Sequence, residues 1–483
     1  MKTAFYNRIL IAIIIVTAAS AEMRSQNLPD SLAGYLGIAA ENNPAVQQKL
    51  FEYQAALQKV PQVGSLPDPQ LNAGVFLKPM ELMSGNQVAD FQLMQMFPWF
   101  GVLRNAKDEM SLMANARYEL FRDARAEVYY DVQRAWYELF RIRAGRRIAE
   151  KNISLLRTIE RLTLVKYKSP SMGSNTQKQP GAGMSEVSQG GAPGSSSGMQ
   201  NMNGKTPGRS IPVPASSATD MSSSSMGPSS GGSRLSDLYR VQIDILGLED
   251  RIESLKTQER TLTAQMNSLL NRDPLSPVYV DTVLRTHSLP FPDEALRDSI
   301  MANNPMLTML EYENQSLEAK KKMVEGMSYP MVGIGVSYSL INKSSMSTSF
   351  MNGDDMVMPM VSVTLPVYRK KYKAMKNEAQ LLQTATEQAY LETVNSLTTE
   401  FYSALQMFQD ASRKTRLYES QGKLASGSLD LILKDFSTSS SPLTDVLRMQ
   451  QEVYEYELKL IEANADMNIA AAWITRLMAS ANK

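Results

Sequence analysis

Parts of this chain repeat one another in order, and that duplication narrows the folds open to it. Asn42-Asn43-Pro44 recurs as Asn303-Asn304-Pro305, and Pro69 recurs as Pro330, both at an offset of 261 residues. Phe97-Pro98-Trp99-Phe100 and Leu365-Pro366-Val367-Tyr368 each precede a long helical stretch. Leu235-Ser236-Asp237-Leu238 is echoed by Leu443-Thr444-Asp445-Val446, followed in both places by x-Arg-x-Gln (Arg240, Gln242; Arg448, Gln450). Four matches in one order, each beside the same kind of periodicity, predict two copies of one unit.

Each unit opens with helix, and Pro44 or Pro305 marks a boundary or the first turn of a new helix. A pair of alternating segments follows. In the second unit Val332, Ile334, Val336, Tyr338 and Leu340 alternate with Met331, Gly333, Gly335, Ser337 and Ser339. The partner segment sets Val357, Val361, Val363 and Leu365 against Met356, Met358, Met360, Ser362 and Thr364. In the first unit Leu71, Ala73, Val75 and Leu77, then Ala89, Phe91, Leu93 and Phe97, take the apolar side. Period-two alternation over about ten residues is a strand with one greasy face, and that length suits a tilted bilayer crossing. The hairpins are expected at about 70–97 and 331–365, with Lys78–Asn86 and Ile341–Asp355 as polar loops. Pro359 predicts a bulge or an edge strand.

Long helices come next. From Val102 to Lys168 there is no proline, and Phe121, Val128, Ala135, Ile142, Ala149 and Leu156 fall seven apart, the period of a coiled-coil seam. A helix of that length spans roughly 100 Å. Arg234 to Asn271 is the return helix of the first unit. Lys370 to about Gly422, with Leu424–Phe436 completing the arm, and Leu443 to Ala479 form the second pair. Four strands cannot close a barrel, since closure takes about eight. Open strand edges are not tolerated in lipid, so other copies must complete the cylinder.

The first residues predict an export leader over 1–21: Lys2 and Arg8, an apolar run from Ile9 to Ala19, then Ala19-Ser20-Ala21 as a small-x-small cleavage site. The remaining segments are 22–168, the outgoing half of the first unit; 169–233, an insert; 234–283, its return helix and connector; and 284–483, the second unit. Composition excludes several chemistries. There is no cysteine and one histidine, so thiol catalysis, zinc fingers, iron–sulfur clusters and multi-histidine metal sites have no ligands. With 50 Lys+Arg against 49 Asp+Glu, nothing draws the chain to nucleic acid.

These residues resemble the TolC family of outer-membrane efflux ducts over about Leu28 to Met478. The carriers are the two Asn-Asn-Pro openings, the two hairpins ending in Pro98 and Pro366, and the two Asp-containing helix starts. The resemblance implies a mainly α fold with a small β part: a homotrimer with a shared β-barrel of transmembrane strands continuous with a long periplasmic α-helical tunnel. It also implies outer-membrane lipid, a periplasmic adaptor and an inner-membrane pump as partners, in a Gram-negative envelope. No cofactor and no catalysis are expected.

The family's second inner helix starts with two acids that ring the closed periplasmic mouth. Asp445 matches the first; the second position holds Arg448, which could pair with Asp445 one turn away. Asp445, Arg448 and Asp237 are the gate candidates by this resemblance. An acid in a first turn also favours the helix dipole without any gate.

The segment 169–233 is rich in Ser, Gly, Pro and Met and too poor in large apolar residues to bury a core. It stands where the second unit has the short turn Ser437–Pro442. Met172, Met184, Met199, Met202, Met221 and Met226 lie in it, and thioethers suit Cu(I) or Ag(I). A neutral linker is the alternative, since methionine is abundant throughout at 31 residues. Alternation puts Met331, Met356, Met358 and Met360 opposite the greasy face, with Met94 and Met96 alongside. In a barrel that is the lumen, where polar residues are usual. Adaptable packing by methionine is the competing explanation.

Other signals carry less. Gly194-Ser195-Ser196-Ser197-Gly198 lacks the strand and helix of a nucleophile elbow. Gly204-Lys205-Thr206 lacks the first glycine of a phosphate loop, and His287 sits alone in a Pro-rich connector. Arg141, Arg143, Arg146 and Arg147 read as a solvated helix face or a contact with another chain. The expected function is passive outer-membrane efflux of Cu(I), Ag(I) or other heavy-metal cations. The alternatives are efflux of drugs or other organic compounds and, in another class, a structural periplasmic coiled-coil protein.

Overall fold

A computed structural model describes residues 31–82, 84–168, 235–284, 292–346, 350–438 and 441–479. The expected leader, the whole insert with its six methionines, and His287 lie outside the described residues.

The elements run α1 (Leu32–Asn42), α2 (Pro44–Gly64), β1 (Gln70–Leu82), β2 (Gly85–Phe97), α3 (Val102–Lys168) and α4 (Leu235–Leu269). They continue as α5 (Asp293–Asn303), α6 (Pro305–Met327), β3 (Met331–Asn342), β4 (Met356–Thr364), α7 (Arg369–Ser437) and α8 (Leu443–Leu477). α3 has 67 residues and α7 has 69, so each spans roughly 100 Å. α7 is continuous: Gly422 and Gly427 lie inside it and do not interrupt it.

The strands form one antiparallel sheet in the order β1-β2-β3-β4. Its register aligns the apolar residues of every strand. Leu71 faces Leu93, Leu93 faces Val336 and Val336 faces Pro359; Ala73, Phe91, Tyr338 and Val357 make the neighbouring row. A one-residue slip would turn each strand over, so this agreement specifies the pairing. Pro359 lies in the edge strand β4, where a missing N–H is tolerated.

One expectation is corrected. Residues 78–86 are not a loop. Met80, Glu81 and Leu82 pair with Gln87, Asn86 and Gly85, so the strands stay paired as far as Leu82 and Gly85. The register shifts between Val75 and Met80, and this irregularity takes up Phe76, Leu77, Lys78 and Pro79. Gly85 closes the turn at φ +129°, a backbone conformation open to glycine.

The long helices pack side by side as a wall, with the short α1 and α5 packed onto it. α3 packs against α2, α4, α6 and α8, and α7 packs against α6 and α8. The heptad seam of α3 lies in this packing. Val128, Ala135, Ile142, Ala149 and Leu156 are buried, and Phe121 packs on the upper cluster. Near the tips, Ala149, Ile153, Leu156 and Ile159 meet Val241 and Ile245 of α4, Leu429 and Phe436 of α7, and Val446 and Leu447 of α8.

The Asn-Asn-Pro openings have a geometric purpose. Asn43 Oδ1 accepts from the Ala45 and Val46 amides, which caps α2, while Nδ2 donates to the Leu269 carbonyl at the end of α4. Asn304 caps α6 through the Met306 amide and donates to the Leu477 carbonyl at the end of α8. Each asparagine thus satisfies orphan groups of two helices at once.

The arginine run is also corrected. Arg143 and Arg146 hold the two oxygens of Glu259 on α4, each at 2.7 Å. Arg143 and Arg147 donate to the carbonyls of Val278 and Thr282 in the connector. These side chains fasten α4 and the connector to α3 within one chain. Helical periodicity alone cannot distinguish such a face from a solvated one.

Candidate functional site

The face of the sheet opposite the apolar one collects the candidate side chains. Because β2, β3 and β4 are in register, Met94, Gly335 and Met360 form one row and Met96, Gly333 and Ser362 the next. Ser362 Oγ lies 3.3 Å from Met94 Sδ and 3.7 Å from Met96 Sδ. Gln92 Nε2 lies 3.9 Å from Met360 Sδ. The two glycines make room for this. A Cβ on Gly333 would fall 2.6 Å from Met96 Sδ, and one on Gly335 would fall 2.6 Å from the Leu93 carbonyl oxygen.

Met356 and Met358 continue the same face opposite Ser339 and Ser337, and Met331 lies opposite Thr364. Met94, Met96 and Met360 are half-buried, while Met331, Met356 and Met358 are exposed. The register therefore gathers two thioethers, Met94 and Met96, around the Ser362 hydroxyl, sets Met360 in the adjacent row, and leaves three more methionines along the same face. The fuzzier alternation of the first unit concealed one participant, Asp90, whose Oδ1 accepts from both Ser337 and Ser339. This face offers soft sulfur ligands with the Asp90 carboxylate nearby, itself held by the Ser337 and Ser339 hydroxyls. Met346 and Met351 are exposed in the β3–β4 loop.

The gate candidates are at the other end of the helices. Asp237 and Asp445 stand half-buried in the first turns of α4 and α8. A groove of about 670 Å³ separates these helices. Asn152 and Leu156 of α3 line it, with Arg240 and Asp244 from α4 and Arg448 and Glu455 from α8. Gln450 donates to Asn152 in its buried part. Burial raises the Asp244 carboxyl above its usual range, against the pull of Arg240. Arg448 is exposed along the groove, and no ion pair joins it to Asp445 among the described residues.

A further charged site has no motif and was not visible in the sequence. Asp123 of α3 lies near Arg476 of α8 and near Glu127 and Glu400. Burial is the main cause lifting its pKa; Arg476 opposes the shift and the two glutamates reinforce it. Asp131, one turn beyond Glu127, is raised by burial in the same way.

Neither a family model nor a curated protein matches the chain. Solved structures do. The outer-membrane channel OprN aligns with TM-score 0.66 at 12% identity, over 93% of this chain and 90% of that one. The outer-membrane protein VceC from Vibrio cholerae aligns with TM-score 0.65 at 11% identity, over 94% and 97%. CusC, described for its transmembrane channel formation, aligns with TM-score 0.66 at 12% identity, over 92% and 91%. The chain has the fold of these TolC-family channels along nearly its whole described length.

Proposed function

We propose that three copies of this chain form a passive outer-membrane duct, the exit component of an efflux system that also contains a periplasmic adaptor and an inner-membrane pump. The observation that carries this reading is the sheet. Its outer strands, β1 and β4, have no further strand beside them among the described residues. One whole face exposes apolar side chains, including Leu71, Val75, Ile334, Val357 and Val361. Hydrocarbon accepts such a face but not open edges. Three copies of the four-stranded sheet supply twelve strands, enough to close where four are too few.

The helical wall supports the same closure. Leu417, Leu424 and Leu431 of α7 are 46, 76 and 63% exposed at heptad spacing, a seam without a partner among the described residues. Tyr239, Ile243 and Leu246 are exposed on α4, at the opposite edge of the wall. A neighbouring copy brings these two edges together. Asp237, Asp445 and Arg448 would then ring the periplasmic mouth as a polar gate, and energy would come from the pump.

The favoured cargo is a soft monovalent cation, copper or silver, because Met94, Met96 and Met360 converge on the sheet face that a closed barrel turns inward. The six insert methionines would capture the ion before entry. Purification in detergent followed by mass determination and planar-bilayer recording tests the duct. A trimeric, conducting particle is expected. A monomer that stays in water without detergent would refute the reading.

A further inference from the structure

Just past the sheet, the surface becomes strongly basic. α7 begins with Arg369-Lys370-Lys371-Tyr372-Lys373, and its four cations are all exposed. None of them is in an ion pair among the described residues. Glu325, at the end of α6, is engaged by Lys376. No Asp or Glu occurs from 356 to 377, or from 91 to 107 across the other strand-to-helix junction, where Arg104 is exposed.

The helix itself does not account for these charges. Cations in a first turn oppose the helix dipole, which favours anions there. Nor does packing hold them beyond a 5.9 Å approach of Lys371 Nζ to the neighbouring Tyr372 ring, since the first buried residue of α7 is Ala379. At about 100° per residue, positions 369, 370, 371 and 373 point in several directions around the axis, so part of the set faces away from any central pore.

The surroundings specify the partner. Between the apolar sheet face and these cations lie Leu365, Val367 and Tyr368, which are 64, 71 and 80% exposed. At the same level Trp99 stacks on Tyr329 with ring centroids 5.2 Å apart, beside the exposed Phe100. Apolar surface, then aromatic rings, then bare cations is the order met on leaving a bilayer: hydrocarbon, interface, phosphate.

We propose that Arg369, Lys370, Lys371 and Lys373 form a docking surface for the phosphate headgroups of anionic phospholipid in the inner leaflet of the membrane that the sheet crosses. This rests on the outer-membrane reading above. Three copies would place a basic collar around the duct, fixing its depth and its tilt.

The test uses the full chain reconstituted into vesicles of phosphatidylcholine alone or of phosphatidylcholine with phosphatidylglycerol. Lipid that stays bound after detergent extraction is then counted by native mass spectrometry. The native chain should insert into both vesicles and keep phosphatidylglycerol preferentially, less so as salt rises. The combined variant R369Q/K370Q/K371Q/K373Q should still insert but lose that preference by about fivefold per charge removed, from the usual worth of a basic residue near an anionic surface. K370R/K371R/K373R should keep it. Equal phosphatidylglycerol retention by the native and glutamine forms would overturn the proposal. So would unchanged retention with altered anion conductance, which would place these cations on the pore. Insertion into neither vesicle would instead defeat the outer-membrane reading itself.

Discussion

Asn304 Nδ2 donates to the carbonyl oxygen of Leu477 at 3.0 Å, which ties the start of α6 to the end of α8. Asn43 makes the same bond to Leu269 at 2.8 Å, between α2 and α4. The asparagine side chain can do this because it carries both a donor and an acceptor. Asn304→Ala or Asn43→Ala is expected to cost about 1–2 kcal/mol each, the usual worth of a cap together with one buried hydrogen bond. Asn→Asp keeps the cap but replaces the donor with a charge facing a carbonyl. Thermal unfolding of both variants separates the two roles; an Asp variant as stable as the native chain would refute the interhelical part.

Glu259 is the point where Arg143 and Arg146 converge. Glu259→Ala leaves Arg143 without its carboxylate and Arg146 with only the longer contact to Glu150, in a region about one quarter exposed. A loss of about 1–3 kcal/mol is expected for hydrogen bonds between charged groups, reduced by partial solvent screening. Hydrogen exchange should quicken in α4 and the connector before it does in α8. Uniform acceleration across the chain would contradict a local staple.

Met94, Met96 and Met360 can be changed together to leucine. Volume-conserving swaps of this kind cost about 1.5 kcal/mol or less apiece, so assembly should survive. In cells lacking the native gene, the variant should restore growth in detergent but not in copper or silver salts. Full metal tolerance with leucine at all three positions would remove the thioether reading and favour organic cargo.

Asp123 has a sign opposite to that of a salt-bridged surface carboxylate. Burial raises its folded pKa above the unfolded value near 3.8, so the folded state takes up its proton first. Its charge therefore weakens the fold at neutral pH. Stability is gained as pH falls through the raised folded pKa towards 3.8. Asp123→Asn should raise the melting midpoint at pH 7, and the gain should disappear once pH is below the unfolded value. A lowered midpoint at pH 7 would mean that attraction to Arg476 outweighs desolvation.

Much of this architecture is written locally. Period-two alternation marked the strands and their apolar faces, and the seven-residue spacing from Phe121 to Leu156 marked the buried seam of α3. Both work because a strand or a helix imposes its own period on whichever side chains must leave water. The run from Arg141 to Arg147 was visible as composition but not as contacts.

Tertiary structure decided the rest. The register that sets Met94 beside Gly335 and Met360 depends on three strands meeting, and so does the place of Asp90 between Ser337 and Ser339. The pairing of Met80–Leu82 with Gly85–Gln87 replaced an expected loop, past an irregularity that lets β1 run on. Asn43 finds its carbonyl partner 226 residues away, and Arg146 finds Glu259 113 residues away. Local sequence fixes which face a residue occupies, since that follows from backbone geometry. Its partner across the fold is fixed only when distant elements pack, because the energy that selects the pairing belongs to the contact and not to either segment alone.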